Sequence, residues 1–232
     1  MTRPFFTSLI VSLLLLACSG NSTGPDGGLT ATATDPSGDT YGVLAVQWDL
    51  TALTITRDSG GIDFTIDFTS NVLSPMSGDS DAVYGEIDFD TDQNIATGTT
   101  SFVDVFGSGS TGMGVDYVLD LFDYKADSMV PVLKYNPSDS TYFTIDSLRP
   151  VFSGKRISGR IPRSALGNDD GFLNAAVVVG TLREPTDIAP NSGHLKVGGT
   201  APAGPEMRSV TALRGIPPRE KWSTGKNRNR HY

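Results

Sequence analysis

The sequence has few of the side chains from which most catalytic centres are built. Its 232 residues include one cysteine and two histidines. A single cysteine excludes an intrachain disulfide, so the fold must be stabilised by its core, with help from a metal ion where ligands allow it. His194 follows a Ser-Gly pair in a loop-like stretch and His231 is the penultimate residue, and we find no nucleophile elbow, zinc motif or P-loop. We therefore expect a protein that is not an enzyme.

Basic residues are scarce in most of the chain and concentrated at its end. Residues 18–197 contain 24 acidic and 10 basic side chains, whereas residues 198–232 contain 2 acidic and 7 basic ones. An acidic surface repels phosphates, which argues against nucleic acid as a partner and in favour of cations. Residues 198–232 lack apolar periodicity, so we expect a disordered basic tail. It either contacts anionic envelope polymer or the acidic domain, or has no role.

Long apolar runs are also absent, apart from one near the first residue. Arg3 precedes an apolar run at 5–16, which is too short to span a bilayer and has the length of a signal-peptide core. The run ends in Leu-Leu-Ala-Cys at 15–18, which resembles the lipobox of bacterial lipoproteins. The resemblance implies a signal peptide over 1–17 and acyl chains on Cys18 that anchor the protein to a membrane. The alternative is a buried helix with an incidental cysteine.

The residues after Cys18 indicate where the protein is located. Ser19 follows the cysteine, and the absence of Asp at this position resembles lipoproteins sent to the outer membrane. This resemblance implies an outer-membrane lipoprotein of the cell envelope that faces the periplasm or the exterior. Residues 18–34 are rich in Ser, Gly, Thr and Ala, which predicts a flexible tether with a reach of about 20–25 Å.

Period-two alternation of apolar residues dominates the middle of the chain. Residues 53–68 alternate on both sides of a Gly-rich turn, which predicts a β-hairpin with one buried and one solvated face. Further strand candidates, separated by turn signals, lie at 83–89, 102–106, 115–124, 129–135, 141–145, 156–162 and 172–181. The pattern predicts one all-β domain over 35–197, an antiparallel β-sandwich of about eight or nine strands. We expect this domain to be a monomer.

Oxygen-bearing side chains recur at every second position between residues 88 and 94. In an extended strand these positions share a face, and neighbouring like charges repel by about 1 kcal/mol per pair even in water. Calcium, which takes about six to eight oxygen ligands, would relieve the repulsion. The predicted metal ligands are Asp88, Asp90, Asp92 and Asn94, completed from elsewhere by Asp35, Asp39 and Asp116. Gln93 and Thr99 replace the glycine and glutamate of an EF-hand, and the alternative is a solvated acidic loop.

Short polar motifs are distributed over the predicted domain. They are Asp-Pro-Ser-Gly-Asp at 35–39, Trp-Asp-Leu-Thr at 48–51, Phe-Asp-Thr-Asp-Gln-Asn at 89–94, Gly-Val-Asp-Tyr at 114–117 and Thr-Asp-Ile-Ala-Pro-Asn-Ser-Gly at 186–193. Together they resemble a family of secreted bacterial β-sandwiches similar to carbohydrate-binding modules and DOMON-like domains. The resemblance implies a non-catalytic domain that binds a sugar, a cofactor or a surface partner, often with structural calcium.

These features predict a membrane-anchored binding lipoprotein, stabilised by calcium, whose favoured partner is a polysaccharide or an envelope protein. The aromatic residues available for sugar stacking are equally candidates for the core: Trp48, Tyr84, Tyr117, Tyr124, Tyr135 and Tyr142. A first alternative is a structural or interaction lipoprotein without a small-molecule ligand. A second is a glycan-active enzyme that uses Asp88 and Asp90, although their spacing on one strand suits a cation better than a scissile bond.

Acylation of Cys18 can be tested directly by mass spectrometry of the protein from its native host. We expect a mature chain that begins at Cys18, with a diacylglycerol on the thiol and an acyl chain on the amine. Cys18→Ser should leave the protein unacylated and move it out of the membrane fraction, because the acyl chains provide the anchor. An unacylated Cys18 in the native host would contradict the prediction.

Overall fold

A computed structural model describes residues 22–23, 29–106, 110–124, 127–167 and 171–198. The predicted signal peptide, the predicted lipidation site Cys18 and the predicted tail after Gly198 lie outside the described residues. Within the described ranges, no helix combines the length and the apolar character needed to cross a membrane.

The described residues consist mainly of β-strands. The strands are β1 (Ser22–Thr23), β2 (Leu29–Thr34), β3 (Leu50–Arg57), β4 (Gly61–Phe68), β5 (Tyr84–Asp90), β6 (Thr99–Thr100), β7 (Gly114–Val115), β8 (Tyr117–Asp120), β9 (Val130–Asn136), β10 (Thr141–Leu148), β11 (Val151–Ser153), β12 (Arg156–Pro162), β13 (Leu173–Gly180), β14 (Pro185–Ala189) and β15 (Leu195–Val197). The same part of the chain contains one short α-helix, α1 (Val103–Phe106), and the 3₁₀ helices Pro75–Ser77 and Arg163–Leu166.

The strands pair into two main sheets and one short ribbon. The first sheet has the order β1-β2-β3-β4-β12-β11, and the second has the order β10-β9-β8-β5-β13-β14. β15 pairs with the first half of β13 and β14 with the second half, while β6 and β7 form the ribbon. The strand pairs are antiparallel, and residues of both sheets share one hydrophobic core. The predicted antiparallel all-β sandwich is therefore confirmed.

The hairpin predicted over 53–68 is formed by β3 and β4. In β4, Ile62 and Phe64 are buried, whereas the intervening Asp63 and Thr65 are partly exposed. The alternation places one apolar side chain in the core at every second position, and each buried side chain of this size stabilises the fold by about 1.5–3 kcal/mol. The strict period of two was thus sufficient to predict both strands and the face that they bury.

β13 is covered on both faces, as its continuous apolar run predicts. Val177 and Val179 point into the core between the sheets, whereas Val178 belongs to a second apolar cluster on the outer face of the second sheet. That outer cluster includes Phe102 and Met113, which come from the segment between β6 and β7. This segment covers the outer face of β5. The polar side chains on that face are therefore buried, whereas an uncovered sheet would expose them to water.

The segment 102–106, predicted as a strand, forms α1 instead. The buried carboxylate of Asp88 accepts hydrogen bonds from the Phe102 amide at 2.8 Å and from the Ser101 hydroxyl at 2.7 Å. The Ser101 hydroxyl oxygen in turn accepts from the Val103 amide at 3.2 Å. Side-chain acceptors of this kind satisfy the free N–H groups at a helix start, which favours a helical turn over an extended strand.

Residues 29–34, predicted as part of a flexible tether over 18–34, form β2. Leu, Thr and Ala alternate there, and the strand pairs in register with β3. The hydroxyl groups of Thr30 and Thr56 are 2.9 Å apart, and those of Thr32 and Thr54 are 3.0 Å apart. Cross-strand hydroxyl pairs stabilise neighbouring strands, so the paired structure begins before residue 35.

Candidate metal centres

Acidic side chains converge at two places in the described residues. The loop cluster comprises Asp90, Asp92 and Asp116. The edge cluster comprises Asp35, Asp39 and Asp187. In each cluster, one carboxylate oxygen per residue lies within 4.8 Å of the others. On β13, Asn174 pairs with Asp90 and Val179 pairs with Asp187, and these positions are roughly 16 Å apart along the strand. One ion cannot bridge both clusters.

The loop cluster begins at the last residue of β5. Asp90 is buried and accepts hydrogen bonds from Asn174 Nδ2 at 3.0 Å and from the backbone N–H of Asn94 at 3.2 Å. Asp92 is exposed and accepts from the same Asn94 amide at 3.0 Å and from the Thr97 hydroxyl at 2.8 Å. A single backbone N–H therefore holds two carboxylates close together.

Asp116 joins the cluster from the link between β7 and β8. Its backbone N–H donates to the Phe89 carbonyl at 2.9 Å, which fixes its position beside the end of β5. Its Oδ2 accepts from the Thr91 amide at 2.9 Å and from the Thr91 hydroxyl at 3.0 Å. Asp116 was predicted to complete the site from a distant part of the chain, and the structure brings it to Asp90 and Asp92.

The loop that carries Asp92 depends on backbone conformations that few residues adopt. Gln93 has a φ of 52°, in the left-handed region, and Gly98 has a φ of 66°. A Cβ atom on Gly98 would lie 2.4 Å from the Val115 carbonyl oxygen. Glycine at this position lets the loop pack against β7, and this contact keeps Asp92 near Asp116.

Burial and mutual repulsion perturb the carboxyl groups of the loop cluster. Burial is the main cause that raises the pKa of Asp116 to about 6; the charges of Asp92 and Asp90 add to the rise, and the hydrogen bonds from Thr91 oppose it. Burial also raises the pKa of Asp90, with a contribution from Asp92, against the hydrogen bond from Asn174. These shifts measure the cost of keeping several negative charges in one partly dry place.

Two of the predicted ligands have other roles in the structure. Asp88 shares the outer face of β5 with Asp90, as the alternation predicts, but its carboxylate binds the start of α1 and is not part of the loop cluster. Asn94 contributes its backbone N–H to the cluster, while its side-chain oxygen accepts from the Ala96 amide at 3.0 Å. The geometry therefore favours Asp90, Asp92 and Asp116 as the ligands.

The edge cluster lies between the two sheets, where β14 forms an edge of the second sheet. Asp187 on β14 is buried, and its Oδ2 accepts from the Leu50 amide of β3 at 2.6 Å. Its Oδ1 accepts from the Ile188 amide at 2.9 Å. Next to it, the Thr186 hydroxyl contacts both the backbone N–H and the carbonyl oxygen of Trp48, each at 2.9 Å. These contacts connect the two sheets.

The remaining members of the edge cluster come from the segment that follows β2. Asp39 is exposed and accepts from Asn191 Nδ2 at 2.6 Å. The Gly38 amide donates to both carboxylate oxygens of Asp49, at 3.1 and 3.0 Å, which closes the Asp-Pro-Ser-Gly-Asp turn. This turn brings Asp39 to the same side as Asp35, whose backbone N–H donates to the Thr51 carbonyl at 2.9 Å.

Asp35 differs from every other member of the two clusters. Its side chain is only 8% exposed, and both carboxylate oxygens are buried without a hydrogen-bond partner. The hydroxyl oxygen of Tyr41, whose amide donates to the Thr186 carbonyl, is also buried without a partner. Buried polar oxygens are nearly always paired, so this pocket of oxygen atoms requires an explanation.

Burial perturbs Asp35 and Asp187 of the edge cluster more strongly than Asp116 of the loop cluster. Burial, followed by the charges of Asp187, Asp39 and Asp49, raises the pKa of Asp35 to about 8. Burial raises the pKa of Asp187 to about 7, although its hydrogen bonds from Leu50 and Ile188 act in the opposite direction. Without a counter-cation, the folded protein must hold these groups protonated or tolerate their repulsion.

The sequence predicted Asp35 and Asp39 as ligands of the same ion as Asp90, and the structure assigns them to a different place. It did not predict Asp187 as a ligand. The available signal was an acidic residue inside the otherwise uncharged strand β14, within the motif at 186–193. That signal becomes informative only when the pairing of β14 with β13 is known, because the pairing places Asp187 beside Asp35.

Both clusters offer carboxylate oxygens, the ligands preferred by hard divalent cations such as Ca²⁺ and Mg²⁺. The donor set alone does not distinguish these ions. Comparisons of the chain with protein-family models, with curated proteins and with solved structures gave no match. The function must therefore be argued from the clusters and the surface of the domain.

The raised pKa values predict how the stability depends on pH when divalent cations are removed. Asp35 and Asp187 have pKa values above the ordinary 3.8 in the folded state, so the folded protein binds more protons than the unfolded chain between pH 4 and pH 8. The free energy of unfolding in chelator should consequently fall as the pH rises from 5 to 8. For a group that is protonated only in the folded state, the free energy of unfolding falls by about 1.4 kcal/mol per pH unit.

Urea denaturation in chelator at several pH values between 5 and 8 measures this dependence. Asp35→Asn should reduce the slope of this dependence, because the amide has no proton to lose in this range and only the contribution of Asp187 remains. Asp123→Asn, at an exposed position outside both clusters, changes the net charge equally and should leave the slope unchanged. A stability that rises steadily from pH 5 to pH 8 in chelator would contradict the prediction.

Proposed function

We propose that this protein is a membrane-anchored, non-catalytic binding lipoprotein of the bacterial cell envelope, with a β-sandwich stabilised by calcium at the loop cluster. The convergence of Asp90, Asp92 and Asp116 within 4.8 Å is the observation that supports a bound divalent cation. The membrane anchor rests on the lipobox at 15–18 and the polysaccharide partner on the resemblance to carbohydrate-binding modules.

Repulsion within the loop cluster favours a bound cation. Two unit charges about 4 Å apart repel by about 1 kcal/mol in water and by about 4 kcal/mol near a protein surface. The hydrogen bonds from Asn94, Asn174 and Thr91 offset part of this cost and also orient the carboxylates. Calcium suits a site of irregularly arranged carboxylates, because its coordination is more flexible than the near-ideal octahedral geometry that magnesium demands.

The residues that a catalytic mechanism would need are used in structural contacts. Asp88, which a glycosidase would pair with Asp90, binds the start of α1 through its Oδ2. His194 Nδ1 lies 2.5 Å from the Thr111 carbonyl oxygen and donates to it. These contacts support a binding module over a glycan-active enzyme.

A surface aromatic residue on β10 supports carbohydrate as the ligand class. Trp48, Tyr84, Tyr117 and Tyr135 are buried, whereas Tyr124 and Tyr142 are partly exposed. Tyr135 and Tyr142 pair across β9 and β10 with ring centroids 5.4 Å apart. The buried Tyr135 ring therefore holds Tyr142 in a fixed orientation, and a fixed aromatic ring with an apolar body and a polar tip is suited to stacking on a sugar.

Calcium should raise the melting temperature of the chelated protein. Calcium at a concentration of about a hundred times its Kd adds about 2.7 kcal/mol to the stability, or roughly 5–10 °C for a chain of this size. Asp92→Asn should remove the part of this shift that the loop cluster contributes and leave the fold intact, because Asp92 is exposed. Differential scanning calorimetry in chelator and in millimolar calcium measures both effects.

Asp123→Asn is the matched control, since it removes an exposed carboxylate outside the clusters and should melt like the unmodified chain under both conditions. Equal melting temperatures in chelator and calcium would contradict the calcium proposal. An unchanged calcium response in Asp92→Asn would exclude the loop cluster as a calcium site.

Glycan binding can be tested with a glycan array probed by the calcium-loaded protein. We expect binding to one class of polysaccharide and at least a tenfold loss in Tyr142→Ala, since a lost aromatic contact of 1.4 kcal/mol or more corresponds to about a factor of ten. Phe143→Ala, at an exposed residue on the opposite face of β10, is the control. If no glycan binds, the alternative of a structural or interaction lipoprotein is favoured.

A further inference from the structure

We infer that Asp35, Asp39 and Asp187 form a second divalent-cation site, which joins the two sheets of the sandwich at the edge where β14 lies. The site is separate from the loop cluster and does not depend on the function proposed above. Its ligands come from the end of β2, from the turn that follows it and from β14.

The unpartnered carboxylate of Asp35 is the first ground for this site. Asp35 is only 8% exposed, and no hydrogen-bond donor among the described residues reaches either of its carboxylate oxygens. Burying a carboxylate without a partner costs several kcal/mol, and proteins avoid it by pairing the charge or by coordinating a metal. No lysine or arginine in the described residues forms an ion pair with any member of the edge cluster. Among the described residues, Asp35 therefore has no positively charged partner, and a bound cation would supply one.

The spacing of the oxygens is the second ground. Two ligands on opposite sides of one calcium ion are at most about 4.6–5.2 Å apart, since each Ca–O distance is about 2.3–2.6 Å. The oxygens of Asp35, Asp39 and Asp187 fall within that span at 4.8 Å or less. A proton shared between two carboxyl groups requires oxygens about 2.5–2.7 Å apart, and Asp35 makes no such hydrogen bond. The spacing thus fits a cation better than a shared proton.

The arrangement of the other oxygens around the site supports the same conclusion. Both oxygens of Asp187 are held by amides, Leu50 in the first sheet and Ile188 in its own strand, so the carboxylate is fixed before any ion binds. The hydroxyl oxygen of Tyr41, whose backbone N–H donates to the carbonyl oxygen of Thr186 next to Asp187, is also buried and has no hydrogen-bond partner among the described residues. Prepared ligands of this kind lower the entropy lost on binding an ion.

The chemistry of the ligands restricts the ion to a hard cation. Three carboxylates supply a charge that a monovalent ion would offset only in part, and the absence of sulfur and imidazole in the cluster disfavours zinc and copper. Calcium is the probe of choice, because it accepts an exposed ligand such as Asp39 together with buried ones.

The test is isothermal titration of the full chain with calcium chloride after chelation, at pH 7.5. The Asp92→Asn variant, which lacks the exposed ligand of the loop cluster, should still bind calcium. Adding Asp39→Asn or Asp35→Asn to that variant should abolish the remaining binding. Asp39 is exposed, and its side chain accepts a hydrogen bond from Asn191. Asp39→Asn should therefore fold, and it still tests the site if Asp35→Asn does not fold.

A second readout separates a ligand from a residue that only supports the fold. In chelator at pH 8, Asp35→Asn should melt at a higher temperature than the unmodified chain, because the buried charge is gone. In millimolar calcium, the order should reverse. Asp123→Asn should follow the unmodified chain under both conditions.

Calcium binding with the same number of ions and the same affinity in Asp35→Asn, in Asp39→Asn and in the unmodified chain would overturn the inference. So would complete loss of binding in Asp92→Asn alone, which would assign all calcium to the loop cluster. Conversely, binding that survives Asp92→Asn unchanged and disappears in Asp39→Asn would support the second site and remove the first. The two proposals can therefore fail independently.

Discussion

Repulsion among carboxylates at both ends of β13 is the constraint on which this domain depends. The apolar core between the sheets accounts for the sandwich itself, and it needs no ion. At the ends of β13, however, Asp90 and Asp187 are buried beside other acidic residues, and burial raises the pKa of each. Such charges destabilise a fold unless a partner offsets them. The places of greatest electrostatic cost are also the places where separate segments of the chain meet.

Cations at these places would do for the domain what disulfides do for many exported proteins. The only cysteine precedes the domain and is the predicted lipid attachment site. The loop cluster connects the end of β5 to the β7–β8 link, and the edge cluster connects the segment after β2 to β14. Each connection closes a long stretch of chain. Ions bound only by the folded state stabilise it by mass action, so the stability of the domain would follow the free cation concentration.

The sequence predicted most of the fold but only the local part of each cluster. Strict alternation sufficed for β3 and β4, and spacing within one loop sufficed for Asp90 and Asp92. Asp88 was placed on the correct face, but its partner is the start of α1. The apolar residues at 102–106 had predicted a strand there. Asp187 was missed because its meaning depends on the register of β14 with β13, which no local pattern encodes.

The two clusters differ in how many of their carboxylates receive hydrogen bonds from the protein. This difference decides which cluster gains more from a bound ion. In the loop cluster, amides and hydroxyls donate to all three carboxylates, so its geometry can persist with part of the repulsion offset. In the edge cluster, Asp35 receives no donor and is the most perturbed carboxyl group of the two sites. The edge cluster therefore gains more from a cation, even though the loop cluster has the more recognisable sequence.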